Sequence, residues 1–160
     1  MFQKATTKQL LTIWNYEQEL CSPKVYKLVA KELLKRGELR FSKYRSASTL
    51  QLWVILQNED LIQIESLLGA YLELIKRNEI KKYIEGLIKE LFGTINSAEN
   101  TTLFSVKELT TLCYKYGLNA IFEYKGEKNC AFIDFLNFML INKLMKLASI
   151  NEDQHIKSVG

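Results

Sequence analysis

Along most of the chain, apolar residues recur in steps of three and four, as they do in amphipathic helices. Similar steps run from Leu61 to Ile75 and from Ile80 to Leu91. The clearest series has the i, i+3, i+4, i+7, i+8 spacing of one helix side: Tyr26, Val29, Ala30, Leu33 and Leu34. The pattern predicts an all-α protein, a single-domain helical bundle of about seven to eight helices.

Several helix ends are marked by capping residues. Thr6-x-x-Gln9 and Ser105-x-x-Glu108 match the capping box, in which the side chain of each residue accepts a hydrogen bond from the backbone N–H of the other. Ser22-Pro23 predicts a corner between two helices, because serine is a good N-cap and proline is favoured at the first helical position. The helix that begins there is predicted to run to about residue 36 and to stop at Gly37.

The apolar pattern also predicts which residues are buried. Residues 46–57 should form a helix around Leu50, Trp53 and Val54, and Trp14 and Trp53 should both be core residues. The helix over 131–147 is apolar on nearly all sides, so it is predicted to be the most buried. No internal repeat is evident from the sequence.

The organisation predicted from these patterns has four parts. Residues 1–95 form an N-terminal helical bundle with a basic helix, and 96–104 form a polar linker or loop. Residues 105–148 form the C-terminal helices with the central buried helix, and 149–160 form a frayed tail. Within the third part, residues 120–133 could form a short hairpin or a loop between helices.

Composition adds expectations about location. The first residues lack the apolar run of a secretory signal, and charged and amide side chains interrupt the apolar stretch at 131–148. The three cysteines are scattered, as expected for reduced thiols. We therefore expect an intracellular protein, cytoplasmic or nuclear, with no membrane contact.

The sequence offers little catalytic chemistry. It contains no glycine-rich phosphate loop or nucleophile elbow, and its one histidine is His155, in the predicted tail. Glu59, Asp60 and Glu65 cluster at a helix start, where the helix dipole favours carboxylates. We expect no enzyme activity, no catalytic residue, no metal site and no cofactor.

Positive charge is concentrated in one segment. Between residues 24 and 45 the net charge is +6, whereas the whole chain carries +4. Such a segment could bind an acidic protein surface or, weakly and without specificity, nucleic acid; it could also be a solvated helix face. We predict a partner-binding surface made of eight residues: Lys24, Lys27, Lys31, Lys35, Arg36, Arg40, Lys43 and Arg45.

Residues 8–92 resemble the helical A domain of GINS subunits, the four-member scaffold of the replicative helicase. Leu10, Trp14, Glu17, Ser22 and Pro23 in "QLLTIWNYEQELCSPKVYKL" occupy the positions of that family's first helix and corner. Six residues of "IESLLGAYLELIKRNEIKKYI" match a later helix: Glu65, Tyr71, Arg77, Ile80, Lys82 and Tyr83. The resemblance implies a non-enzymatic scaffold subunit that acts in DNA replication within a homo- or hetero-oligomer.

Residues 88–142 are similar instead to a calcium-less EF-hand pair. Phe104 and Glu108 would hold the central and closing positions of the first hand, and Asn137 would replace the closing glutamate of the second. This resemblance implies a calcium-independent adaptor that clasps a partner helix. A third interpretation, from the helix number and the missing internal histidine, is a haem-less globin-like sensor or regulatory domain that binds an apolar ligand.

Overall fold

The computed structural model describes residues 2–16, 22–39, 41–58, 64–126 and 130–159. Within these ranges the chain forms eight α-helices and a short 3-10 helix, Ser42–Tyr44, with no strand. The prediction of an all-α fold with seven to eight helices is confirmed. The helices belong to two compact units, Met1–Ser42 and Lys43–Gly160, where the sequence predicted one domain.

The first unit is a pair of helices, α1 (Thr7–Tyr16) and α2 (Pro23–Lys35). Leu10 of α1 and Leu33 of α2 are fully buried. Trp14 is also buried, and its ring stacks on Tyr26 with 4.5 Å between the ring centres. The predicted capping box is present, because Gln9 N donates to Thr6 Oγ1 at 3.1 Å. Ser22 Oγ caps α2 as predicted, with Pro23 as its first residue, and residues 17–21 between the two helices lie outside the described residues.

The described residues of the second unit form six α-helices. They are α3 (Thr49–Gln57), α4 (Ile64–Lys76), α5 (Glu79–Phe92), α6 (Ile95–Thr102), α7 (Val106–Glu123) and α8 (Phe132–Val159). Helix α4 lies against α3, α5 and α7. Tyr71 of α4 is fully buried, and its hydroxyl donates to the carbonyl oxygen of Tyr114 in α7 at 3.1 Å. Gly117 lies directly against the Tyr71 ring, since a methyl group added there would approach Tyr71 Cζ to 2.6 Å.

The burial of α4 and α8 differs from the prediction. Seven of the thirteen residues of α4 are buried, including Gly69 and Tyr71. Helix α8 buries one side, from Phe132 to Ala148 in steps of four, while Phe138 and Met145 are more than half exposed. The prediction that 131–147 is the most buried helix is therefore wrong. Helix α4 is buried more completely because glycines allow aromatic rings to approach closely.

The polar segment predicted as a linker is helix α6. Thr94 caps it by accepting a hydrogen bond from Ser97 N at 2.9 Å, and its two buried residues, Ala98 and Thr102, are one turn apart. A short helix with so narrow a buried side can be polar almost everywhere else. Helix α8 likewise continues to Val159, through the segment predicted as a frayed tail.

Of two further predictions, the loop between helices at 120–133 agrees with the structure, and the buried side of the helix at 46–57 does not. Among the described residues of 120–133, α7 ends at Glu123 and α8 begins at Phe132, so these residues connect two helices. In α3 the buried residues are Leu52 and Leu56. Leu50 and Val54 are exposed and Trp53 is only half-buried, because the opposite side of α3 faces the core.

Arg36 holds the first helix pair together. Its Nε lies 3.0 Å from Glu32 Oε1, and Nη1 donates to Thr7 Oγ1 at 3.2 Å. Nη2 donates to the carbonyl oxygens of Phe2 and Gln3, both at 3.3 Å. One guanidinium thus joins the end of α2 to the start of α1 and to the two residues near the chain start. We call this set of contacts the arginine clamp.

Arg77 makes a second arginine clamp, in the second unit. Its Nε lies 3.1 Å from Glu73 Oε1, and Nη1 donates to Thr49 Oγ1 at 3.2 Å. Nη2 donates to the carbonyl oxygens of Tyr44 and Arg45 at 3.3 and 3.1 Å. Every partner of Arg36 has a counterpart here, atom for atom.

The two clamps belong to an internal repeat. "ELLKRGEL" at 32–39 and "ELIKRNEI" at 73–80 share five of eight residues, at an offset of 41. The first helices of the two repeats, α1 and α3, align at an offset of 42, which pairs the capping box Thr6-x-x-Gln9 with the capping box Ser48-x-x-Gln51. After each clamp arginine the backbone turns through a positive φ, 70° at Gly37 and 61° at Asn78. The expectation of no internal repeat is therefore wrong.

Candidate protein-binding surface

Four lysines line one side of α2: Lys24, Lys27, Lys31 and Lys35. At about 100° per residue, their steps of three, four and four keep them on one side of the helix. The buried residues of α2, among them Val29 and Leu33, lie on the opposite side. The packing of α2 in its own unit therefore turns these lysines outward. We call them the lysine face.

The lysine face is accessible along its length. Lys24, Lys31 and Lys35 are exposed, and Lys27 is half-buried. Four positive charges within one helix side produce a local field that attracts anionic groups. Because an ammonium group is a compact charge with rotatable donors, such a face suits carboxylates presented in several orientations.

The other predicted binding residues are placed differently. The Arg36 guanidinium is engaged in the arginine clamp, with 21% of its side chain exposed. Arg40 lies outside the described residues. Lys43 and Arg45 belong to the second unit. The structure therefore brings four of the eight predicted residues together on one described surface, the lysine face.

Lys43 already has an intramolecular partner. Its Nζ lies 3.1 Å from Glu65 Oε1 and 5.2 Å from the centre of the Tyr44 ring. The hydrogen bond to Glu65 raises the pKa of Lys43. Glu65 is also the described member of the predicted carboxylate cluster, and it lies in the first turn of α4 as expected; Glu59 and Asp60 lie outside the described residues.

A groove beside the lysine face was not predicted. It has a volume of about 210 Å³ and is lined by Phe2, Gln3, Leu28, Lys31, Glu32 and Lys35. Sequence reasoning missed Phe2 and Leu28 because neither stands in a recognisable motif. The internal repeat is the signal that could have found them, since it aligns them with Tyr44 and Gly69, which contact each other in the second unit.

The residues that carry the two family resemblances have structural contacts. Tyr71 and Ile80 are buried, and Arg77 forms the second arginine clamp. Glu108 belongs to the capping box of α7, where its carboxylate accepts a hydrogen bond from Ser105 N at 3.4 Å. Asn137 Oδ1 accepts a hydrogen bond from the Tyr83 hydroxyl at 2.7 Å, which joins α8 to α5.

Reactive groups in the described part of the chain are few. The Cys113 thiol is fully buried, and burial raises its pKa to about 12, so it is a poor nucleophile at neutral pH. Among the described residues, no three histidine, cysteine or acidic side chains cluster as metal ligands would. None of the helices described here has the length and apolarity needed to cross a membrane.

No family model, curated protein or solved structure matches this chain.

Proposed function

We propose that this chain is a non-enzymatic scaffold subunit that binds an acidic protein surface through the lysine face of α2. The observation that carries the proposal is the alignment of Lys24, Lys27, Lys31 and Lys35 along one side of a helix whose opposite side is buried. An acidic partner is complementary to such a face, and the attraction would accelerate association.

An acidic protein is favoured over nucleic acid by the chemistry of these side chains. Readers of base edges use the planar forks of arginine or the amides of asparagine and glutamine. The lysine face has none of these, and the nearest arginine, Arg36, has its guanidinium occupied inside the unit. Any binding to nucleic acid should therefore be weak, unspecific and steeply dependent on salt.

The resemblance of residues 8–92 to GINS subunits supports a choice of partners. It directs the search to acidic proteins of DNA replication complexes, where this chain would act as one member of a hetero- or homo-oligomer. We propose replication as the first setting in which to look, because the resemblance includes α1, the corner at Ser22 and the start of α2.

The experiment measures binding of a fluorescent oligoglutamate peptide by anisotropy at several salt concentrations. In the test variant, the three exposed lysines of the face are reversed: Lys24→Glu, Lys31→Glu and Lys35→Glu. The expected result is loss of binding with unchanged circular dichroism, because all three side chains point away from the core.

A matched control carries the same change of charge elsewhere: Lys89→Glu, Lys115→Glu and Lys146→Glu, three exposed lysines of the second unit. It should retain most of the binding. Equal losses in both triple variants would show that only net charge matters, and the proposal would fail. Tighter binding of a DNA duplex than of the peptide would also overturn it.

A further inference from the structure

The groove beside the lysine face has a specific physical origin. In the second unit, the Tyr44 ring packs onto Gly69, and a methyl group added to Gly69 would come within 2.7 Å of Tyr44 Cδ2. Tyr44 is consequently buried, with 6% of its surface exposed. A larger residue at the glycine position could not be accommodated without moving the ring.

In the first unit that larger residue is present. Leu28 aligns with Gly69 and Phe2 aligns with Tyr44 in the internal repeat. Phe2 and Leu28 are each only half-buried, and the groove lies between their two segments. The first unit therefore leaves an apolar recess at the place that the second unit closes with its own aromatic ring.

Charge on the groove rim is positive. Lys31 and Lys35 are exposed and line the groove. Among the described residues that line the groove, the one carboxylate is that of Glu32, and it is paired with Arg36 in the arginine clamp at 3.0 Å. A side chain that enters the groove thus has apolar walls at Phe2 and Leu28 and ammonium groups at its edge.

We propose that the groove binds one large apolar side chain, preferably aromatic, of an acidic peptide segment whose carboxylates lie along the lysine face. This inference rests on the proposed function and adds the apolar residue that the partner must carry. A purely acidic segment would satisfy the lysines but leave Phe2 and Leu28 in contact with water. Burial of an aromatic side chain between them would strengthen binding through the hydrophobic effect.

The test compares two fluorescent probes, an oligoglutamate peptide and the same peptide with one central tryptophan. Any affinity tag is added at the C-terminal end, so that no tag residues directly precede Phe2 in the sequence. The tryptophan peptide should bind roughly tenfold more tightly, since partial burial of one aromatic side chain supplies that much. The single variants Phe2→Ala and Leu28→Ala should each reduce this gain while keeping the weaker, salt-dependent binding of plain oligoglutamate.

Two exposed apolar residues of the second unit provide the control. Leu50→Ala and Val54→Ala remove apolar surface of similar kind and should leave the gain unchanged. No gain from tryptophan, or a gain that survives both groove variants, would overturn this inference while the lysine face could still bind oligoglutamate. If neither probe binds, the proposed function itself is rejected, so the two failures are distinguishable.

Discussion

A guanidinium group can bond several oxygen atoms at once because its N–H groups lie in one plane, and Arg36 and Arg77 use this property identically. Each joins a glutamate one turn earlier, a threonine at the start of the preceding helix and two carbonyl oxygens before that helix. Both side chains are largely shielded from water, so these bonds are stronger than those of exposed pairs.

Removal of either clamp should destabilise the protein strongly. For Arg77→Ala we expect the free energy of unfolding to fall by about 2–4 kcal/mol, since several charge-assisted hydrogen bonds are lost and carbonyl oxygens lose their partners. Arg36→Ala should cost a similar amount. Urea denaturation followed by circular dichroism measures both.

Substitution of each clamp arginine by lysine provides the control for charge. Arg36→Lys and Arg77→Lys keep the positive charge but lack the planar set of N–H donors. They should therefore recover less than half of the loss in unfolding free energy. Full recovery by lysine would show that charge and not the hydrogen-bond geometry stabilises the two units.

The two tryptophans should differ in their contribution to stability. Trp14 is 7% exposed and stacked on Tyr26, so Trp14→Ala should cost about 3–5 kcal/mol. Trp53 is half-buried and contacts Tyr83 at 5.8 Å between ring centres, so Trp53→Ala should cost less, about 1–2 kcal/mol.

Fluorescence quenching by acrylamide checks the same difference independently. The Trp14→Phe variant, which retains Trp53, should be quenched more efficiently than the Trp53→Phe variant. Equal quenching would contradict the assigned difference in exposure.

At the scale of the helices, local sequence signals predicted the helix ends well, but they did not predict which side of a helix is buried. The capping boxes at Thr6 and Ser105 were predictable because the bonds join residues three apart. The buried side of α3 could not be predicted in this way. Apolar residues occur all around this helix, so the spacing of its apolar residues does not favour one side over another. Only the repeat resolves it, since Leu52 and Leu56 align with the buried Leu10 and Trp14.

Ionisable groups buried at the contact between α4 and α7 should make the free energy of unfolding depend on pH in the alkaline range. Burial raises the pKa of Cys113 to about 12 and also raises the pKa of Tyr71. In the unfolded chain these groups ionise near their ordinary values, about 9 and 10. Between the unfolded and folded pKa values the unfolded chain therefore binds fewer protons, and the free energy of unfolding falls as pH rises.

Each such group contributes a slope of about 1.4 kcal/mol per pH unit in that window. The measurement is urea denaturation from pH 8 upward. Cys113→Ala should make the slope above pH 9 shallower. The slope, rather than the stability at one pH, is the relevant readout, because the substitution also changes packing at every pH. An unchanged slope would show that the thiol ionises readily in the folded protein.

At the scale of the whole molecule, sequence reasoning predicted the all-α class but not the division of the chain. The boundary between the units follows Ser42, whereas polarity suggested one at 96–104. Polarity misled because α6 needs only Ala98 and Thr102 to be buried. The lysine face could be predicted because lysine spacing is a local property, whereas the engagement of Arg36 could not, because its contacts reach residues about thirty positions away.

The two units should differ in their ability to fold alone. A fragment of residues 43–160 includes the six described helices α3 to α8 with their own core, and it should unfold cooperatively in urea. A fragment of residues 1–42 is near the size below which chains seldom fold without a disulfide, a metal or a partner. Circular dichroism should show little helix in it, and a cooperative transition of that short fragment would contradict this expectation.

The arginine clamps also determine where the chain would yield to mechanical force. Each guanidinium connects the beginning of a helix pair to its end, so tension applied along the backbone reaches these bonds before it reaches most of the hydrogen bonds within the helices. Corresponding bond lengths in the two pairs agree closely, 3.2 Å to the threonine in both. In a stretched molecule, each pair should therefore lose its arginine contacts before most of its helical hydrogen bonds, although the second pair is held in addition by the packing of α4 on α5 and α7.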